Sequence, residues 1–172
     1  MGRRPSNMGT LEAAITLDKD TCRIGDTLTF SCVLMNKTGR EVRILPTRRY
    51  SIHWIRVVDS SGQSMRESLS AIIDWNETLQ SNEIVVLRPG ESFRRDLKAH
   101  LIQGQRHDLS RAGKLEGVFL DFEDSVVLLA GAGTYSITAQ FESRGDRRHP
   151  EIWKGAVESK PITLKVEALP HT

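Results

Sequence analysis

The sequence predicts an all-β protein that folds as an antiparallel β-sandwich of about seven to nine strands with long loop insertions. Three observations support this fold class. Short segments alternate between apolar and polar residues, turn-forming residues separate these segments, and no stretch has a convincing long helical period. The clearest alternation covers residues 134–141, directly after the glycine-bearing corner at residues 130–133.

The stretch after this corner predicts both a strand and its anchor. Tyr135, Ile137, Ala139 and Phe141 fall on one face because side chains in a strand alternate between its two sides. A tyrosine that follows a corner can bury its ring and donate its hydroxyl to a backbone group a few residues upstream, as a tyrosine corner does. We therefore expect Tyr135 to fasten one sheet over the other.

The N-terminal part of the chain predicts a β-hairpin. Its first strand covers residues 11–18, residues 23–26 turn the chain, and a second strand ends at the turn in residues 36–39. The apolar positions that we expect to face the core are Leu11, Ala13, Ile15 and Leu17 in the first strand and Leu28, Phe30, Cys32 and Leu34 in the second.

The two cysteines are too few for a disulfide scaffold. Cys22 lies beside the predicted turn while Cys32 lies in the middle of a strand, so their α-carbons should be beyond disulfide reach. The sequence predicts two free thiols in a reducing compartment, with Cys32 as a small core residue.

The rest of the chain predicts short strands and three connections. Leu69, Ile72 and Ile73 have the spacing of a single helical turn on the sandwich edge. We expect residues 64–82 and 103–117 to be long insertions that are functional or mobile, and residues 143–150 to be a polar, basic connection. Further strands are predicted in residues 42–44, 51–59, 83–87, 92–97, 126–129 and 162–166.

Length and composition suit one domain, so we assign residues 1–10 to a disordered tail and residues 11–168 to a single sandwich. The net charge of +2 predicts no nucleic-acid partner, and no apolar run is long enough to predict membrane insertion. No signal-peptide segment follows the start, so we expect a cytoplasmic protein as written, or a secreted or periplasmic one if a leader preceded it.

The sequence predicts neither an enzyme nor a cofactor, because it contains none of the common catalytic or phosphate-binding motifs. The five histidines are scattered without the spacing of metal ligands, so no metal site is predicted. Asp121, Glu123 and Asp124 could offer oxygen ligands to calcium, but a solvated acidic turn is the preferred interpretation.

The candidate binding site is a basic cluster followed by a tryptophan. The connection in residues 143–150 is expected near the turn that carries Arg40, and guanidinium groups bind carboxylates or phosphates bidentately. An aromatic side chain beside arginines is typical of binding hot spots, although the tryptophan could equally cap the core and the loop could serve solubility. The predicted partner-binding residues are Arg40, Arg144, Arg147, Arg148, His149 and Trp153.

Three motifs carry a resemblance to a known family. They are Gly-Thr-Tyr-x-Ile-x-Ala at residues 133–139, Leu-x-Pro-Gly-Glu at residues 87–91 and Val-Asp-x-x-Gly at residues 58–62. Together they resemble bacterial immunoglobulin-like domains, and their order is similar to that of the intracellular proteinase inhibitors of bacilli. The resemblance implies an immunoglobulin-like sandwich that binds or blocks another protein through its loops.

The leading hypothesis is therefore a non-enzymatic immunoglobulin-like module that binds another protein through its loops. One alternative is an intracellular protease inhibitor of the bacillar type. Another is an enzyme with a site in residues 103–117, which depends only on His107 and Asp108.

Overall fold

The computed structural model describes residues 10–46, 54–69, 83–108, 113–122, 125–145 and 147–168. This part of the chain contains thirteen β-strands and no α-helix. The strands are β1 (Leu11–Leu17), β2 (Thr21–Cys22), β3 (Thr27–Asn36), β4 (Val42–Ile44), β5 (Ile55–Val58), β6 (Arg66–Leu69), β7 (Val85–Leu87), β8 (Ser92–Asp108), β9 (Gly113–Phe122), β10 (Ser125–Leu129), β11 (Gly133–Ser143), β12 (Gly155–Glu158) and β13 (Ile162–Val166).

Two main sheets form the predicted β-sandwich. The first has six strands in the order β1-β3-β8-β9-β10-β6, and all its pairs are antiparallel. The second has five strands in the order β12-β11-β13-β2, with β5 on the other edge of β11. Strands β4 and β7 form a small third sheet. The sequence prediction of an antiparallel immunoglobulin-like sandwich is confirmed, with more strands than expected.

The core lies between the two main sheets, where the alternating apolar positions meet. In β3, Leu28, Phe30 and Cys32 are each 0% exposed, and in β11 the same holds for Ile137 and Phe141. The predicted hairpin is present, because β1 pairs with β3 over its whole length. One detail differs: residues 21–22 leave the hairpin as β2 and pair in parallel with β13.

The tyrosine corner is confirmed. Tyr135 is 2% exposed, and its hydroxyl donates a 2.6 Å hydrogen bond to the carbonyl of Gly131. Gly131 and Gly133 have φ angles of 115° and 153°, which side-chain-bearing residues rarely adopt, so the corner needs both glycines. Burial raises the pKa of the Tyr135 hydroxyl.

The prediction that residues 103–117 form a loop is wrong. The last residues of β8 and the first of β9 continue the ladder of the six-stranded sheet as a two-stranded ribbon, from the pair Gln103–Val118 to the pair Asp108–Gly113. The polar composition of this stretch reflects a ribbon with one exposed face and one face that is only half-buried apart from Leu115. Periodicity could not reveal it, because alternation is visible only where one face is buried.

The ribbon bends back over the outer face of the six-stranded sheet at a glycine pair. Gly104 and Gly117 are directly opposite each other, with φ angles of 152° and 151°. Asp121 is paired with His100, which lies six residues before Arg106 along β8. The guanidinium of Arg106 is nevertheless 2.9 Å from the carboxylate of Asp121. Six residues of straight strand span about 20 Å, so only a sharp bend allows this contact.

The bend closes a small second core. Leu115 comes from the ribbon, and it packs with Phe119 and Val126 on the outer face of the sheet. Phe119 and Val126 are each 0% exposed. Ile102 and Leu128 complete this cluster from neighbouring strands, so the ribbon is part of the packed fold.

Several smaller predictions are also corrected. Leu69 belongs to strand β6, whereas Ile72 and Ile73 of the predicted helical turn lie outside the described residues. The strand predicted for residues 51–59 is observed as Ile55–Val58, and residues 51–53 also lie outside the described part. Strand β12 and most of β9 were missed, because both are short of apolar alternation.

The two cysteines are free, as predicted, and both are buried, although burial was predicted only for Cys32. Cys32 is paired with Ile15 and Arg95 and Cys22 with Val166, so the thiols belong to different sheets. Among the described residues, no helix is long and apolar enough to cross a membrane. The predicted tail at residues 1–10 lies outside the described residues except for Thr10, and the single-domain assignment stays a prediction.

Candidate functional site at one end of the sandwich

Three turns meet at the end of the sandwich where β3 finishes, and the buried side chain of Asn36 joins two of them. Its amide nitrogen donates 2.8 Å hydrogen bonds to the carbonyls of Arg40 and Leu87. The backbone of Asn36 is bonded to Gly90 and Glu91. An asparagine amide can satisfy several backbone groups at once, so this residue fixes the 36–40 turn against the 88–91 turn.

The third turn is the basic connection, and it lies beside the first two. The amide of Trp153 donates a 2.7 Å hydrogen bond to the carbonyl of Arg43, and Ile152 forms a parallel bridge with the same residue. The residues that follow the basic connection are therefore joined to the strand that follows the 36–40 turn.

A groove of about 440 Å³ opens between these segments. Most of the side chains that line it are apolar, and Arg40 provides its one charged side chain. The lining residues are Thr10, Thr38, Gly39, Arg40 and Val42 on one side and Trp153, Gly155, Ala156 and Val157 on the other.

Trp153 connects the groove to the core of the sandwich. Its ring stacks on Phe141 with a centroid distance of 5.8 Å and an interplanar angle of 21°, and Phe141 in turn contacts Trp54 at 5.4 Å. The indole also lies against the backbone of Gly155, where an added Cβ would approach it to 2.7 Å. Trp153 therefore covers the core, as predicted, and also lines the groove, whereas its role in binding a partner stays a prediction.

Arg40 is held by its backbone while its side chain is exposed. Its carbonyl accepts hydrogen bonds from the Asn36 amide and from the Thr38 hydroxyl, both at 2.8 Å. Within the described part of the chain, its guanidinium has no ion-pair partner. An unpaired, exposed guanidinium at the rim of an apolar groove can bind an external carboxylate or phosphate.

The other four predicted site residues do not line the groove. Arg144 is 91% exposed and lies 3.9 Å from Glu142. Arg147 and Arg148 are exposed on the same connection. His149 is 3.2 Å from Glu151, whose pKa is lowered by a hydrogen bond from its own backbone amide and then by His149. Of the six predicted residues, the structure thus brings only Arg40 and Trp153 together in one cavity.

Sequence reasoning missed the second wall of this groove, which is strand β12. This strand is the edge of the five-stranded sheet and pairs only with β11 among the described residues. The weak alternation of Gly155, Ala156 and Val157 is the one signal that could have indicated it.

A polar contact between the two sheets was also missed. The half-buried Arg95 donates a 2.7 Å hydrogen bond to the carbonyl of Pro46, and its guanidinium lies 5.7 Å from the ring centroid of Trp54. Burial lowers the pKa of Arg95, but an arginine remains charged at physiological pH. The cation–π contact and the carbonyl together compensate this buried charge, so we assign Arg95 a structural role.

The other chemical candidates in the described part of the chain have ordinary explanations. Burial raises the pKa of Cys22 to about 11 and that of Cys32 to about 12, so both are neutral thiols and poor nucleophiles. His107 is exposed on the ribbon, and Asp121 is bonded to Arg106. No group of three metal-ligating side chains occurs among the described residues, and Glu123 and Asp124 lie outside them.

No protein-family model and no curated protein matches this chain. Among solved structures, it is similar to the sporulation control protein Spo0M from Bacillus subtilis, with 11% identity and a TM-score of 0.44 over 94% of this chain. The chain spans about half (51%) of that chain's length. A PapD-like domain of human CEP192 matches with 12% identity and a TM-score of 0.31, over 100% of this chain and 92% of that one.

These similarities are too low to carry a functional argument. Neither of the two structures is a proteinase inhibitor of bacilli, so the resemblance to that family stays a prediction.

Proposed function

We propose that this protein is a non-enzymatic immunoglobulin-like module that binds another protein at the groove between residues 38–42 and 153–157. The observation that carries the proposal is the position of Arg40 and Trp153 in one largely apolar groove. Tryptophan and arginine are among the residues most enriched at protein-binding hot spots, and the contacts around a hot spot exclude water.

The construction of the groove supports recognition by a rigid surface. The Asn36 hydrogen bonds fix the turn that carries Arg40, and the stacking on Phe141 fixes the indole of Trp153. A binding surface that is ordered before the partner arrives loses less conformational entropy on association. Both cysteine thiols are buried and protonated, so neither is a candidate nucleophile.

The proposal is tested by comparing two charge reversals in a pull-down from cells of the source organism. Arg40→Glu changes the groove, and Lys98→Glu is a matched control, because Lys98 is an exposed cation on β8 without an ion-pair partner among the described residues. Loss of a charge-assisted hydrogen bond should reduce partner recovery by about tenfold or more for Arg40→Glu only. Equal recovery with both variants would exclude the groove.

A second set of variants tests the rest of the predicted cluster. Arg144, Arg147 and Arg148 are changed together to glutamate, while the groove stays intact. If the cluster only steers the partner electrostatically, recovery should fall at low salt and return toward the wild-type level near physiological salt. Recovery that is unchanged at both salt concentrations would remove these three residues from the site.

A further inference from the structure

We propose that the partner contributes an extended segment that pairs as an additional β-strand with the free edge of β12 and places a carboxylate on Arg40. This inference depends on the proposed function, since it specifies how the same groove is occupied. Strand addition is a common mode of peptide recognition, in which main-chain hydrogen bonds provide affinity and side-chain pockets provide specificity.

The backbone register shows which groups β12 presents to such a strand. In β11, the amide of Gln140 donates to the carbonyl of Trp54, on the side away from β12. The carbonyl of Ala139 accepts from the amide of Ser159, on the β12 side. Because backbone groups in an antiparallel ladder alternate between the two edges, Phe141 and Ser143 also point toward β12.

The partners of those residues in β12 are Val157 and Gly155, so these two use their N–H and C=O groups within the sheet. The same alternation directs the backbone groups of Ala156 and Glu158 outward, to the edge that has no second strand among the described residues. An unpaired strand edge is a template for pairing with another chain.

The side chains around this edge match an apolar residue of the added strand. Val157, Val42 and Trp153 line the groove next to the outward backbone groups of Ala156. A strand on this edge would point alternate side chains toward the groove, because side chains alternate with a period of two. One inward side chain of the partner segment therefore contacts the exposed surface of the Trp153 indole.

Charge at this end of the sandwich selects an acidic segment. Three carboxylates around the groove, those of Glu41, Glu142 and Glu158, lie within 4 Å of an arginine. Arg40 and Arg147 have no ion-pair partner among the described residues, so their positive charge is available to a binding partner. Complementary charge favours encounter with an acidic partner and disfavours a basic one. The three pairs are Glu41 with Arg43 at 3.4 Å, Glu142 with Arg144 at 3.9 Å, and Glu158 with Arg56 at 3.9 Å.

The test uses a phage-displayed library of random peptides, selected on the full chain and counter-selected on Arg40→Glu. Enriched peptides are then synthesised with single N-methyl groups at each position. We expect an acidic residue in the enriched sequences and a loss of affinity of about fivefold or more at every second position, where the amide faces β12. The positions between them should tolerate N-methylation, because their amides point away from the sheet.

A pair of protein variants tests the same edge from the other side. Ala156→Pro removes the outward N–H of β12, and proline is tolerated in an edge strand when its missing N–H faced solvent. Ala156→Ser is the control, because it keeps this N–H. Peptide affinity should fall about fivefold or more for Ala156→Pro only, with a thermal midpoint close to wild type.

The outcomes separate this inference from the proposed function. Peptides that depend on Arg40 but tolerate N-methylation at every position would overturn strand addition and leave groove binding intact. Equally tight binding of a single N-acetylated, C-amidated glutamate would overturn it too, because such a ligand cannot form a strand. If no peptide distinguishes the wild type from Arg40→Glu, the inference is also wrong. The proposed function is tested separately by the pull-down.

Discussion

Two bends of this protein each contain a pair of glycines but have different structural origins. The corner at residues 130–135 has positive φ angles at Gly131 and Gly133, and the ribbon bends where Gly104 and Gly117 have positive φ angles. The corner is stabilised by a hydrogen bond from Tyr135 to Gly131, four residues apart. The ribbon is stabilised by partners such as Arg106 and Asp121, fifteen residues apart.

This difference explains why the corner was predicted and the ribbon was not. A local contact leaves its whole pattern in one window of sequence, here glycine, glycine and tyrosine followed by apolar alternation. A contact between two strands depends on the register of both, and each strand of the ribbon taken alone is a polar segment with one glycine. The ribbon therefore had the composition of a loop, although its backbone is fully paired up to residues 108 and 113.

The largest expected effect is on stability, and it is seen when a residue of the main core beneath the corner is compared with a residue of the small core beneath the ribbon. Ile137→Ala should lower the free energy of unfolding by about 2–5 kcal/mol, because Ile137 is fully buried between the sheets. Leu115→Ala should cost about 2 kcal/mol or less, because Leu115 packs in a small outer cluster and the ribbon can open locally. Urea denaturation measures both values, and a larger loss for Leu115→Ala would place the ribbon within the main cooperative core.

The second prediction tests whether the ribbon bend needs its glycine. Gly117→Ala should destabilise the protein by about 1–3 kcal/mol, because its positive φ is unfavourable for alanine and the new Cβ would lie 2.9 Å from Leu128 Cδ1. Gly39→Ala is the control, since an added Cβ there meets nothing within 4 Å and Gly39 is not among the positive-φ glycines. Equal thermal midpoints for the two variants would contradict a strained bend.

The site divides in the same way as the fold. Trp153 was a candidate because a basic cluster precedes it in the sequence, and Arg40 because its turn was expected near that cluster. Their meeting in one groove depends on Asn36 and on the bond from Trp153 to Arg43, which join segments more than fifty residues apart. The free edge of β12 follows only from the pairing of whole strands, so no sequence window contains it.

The third prediction concerns the corner itself. Tyr135→Phe removes the hydroxyl that donates to the Gly131 carbonyl and keeps the buried ring, so it should cost about 1 kcal/mol. Chemical denaturation measures this loss, and hydrogen exchange should show faster opening near residues 130–135. A cost below about 0.3 kcal/mol would mean that water replaces the lost hydrogen bond, and the corner would then depend on its glycines rather than on its tyrosine.

The smallest expected effect is the ion pair that joins the ribbon to the sheet. Arg106 and Asp121 are 38% and 25% exposed, and exposed ion pairs contribute about 0.2–1 kcal/mol. A double-mutant cycle with Arg106→Ala and Asp121→Ala measures this coupling, and it should weaken in high salt, because surface charges are screened. If the ribbon is held mainly by Leu115 in its apolar cluster, breaking the ion pair should leave the exchange of ribbon amides almost unchanged. If the ribbon amides instead exchange much faster in Arg106→Ala, the ion pair is the main interaction that holds the ribbon on the sheet. The ribbon would then resemble the corner, because both would depend on a single polar contact.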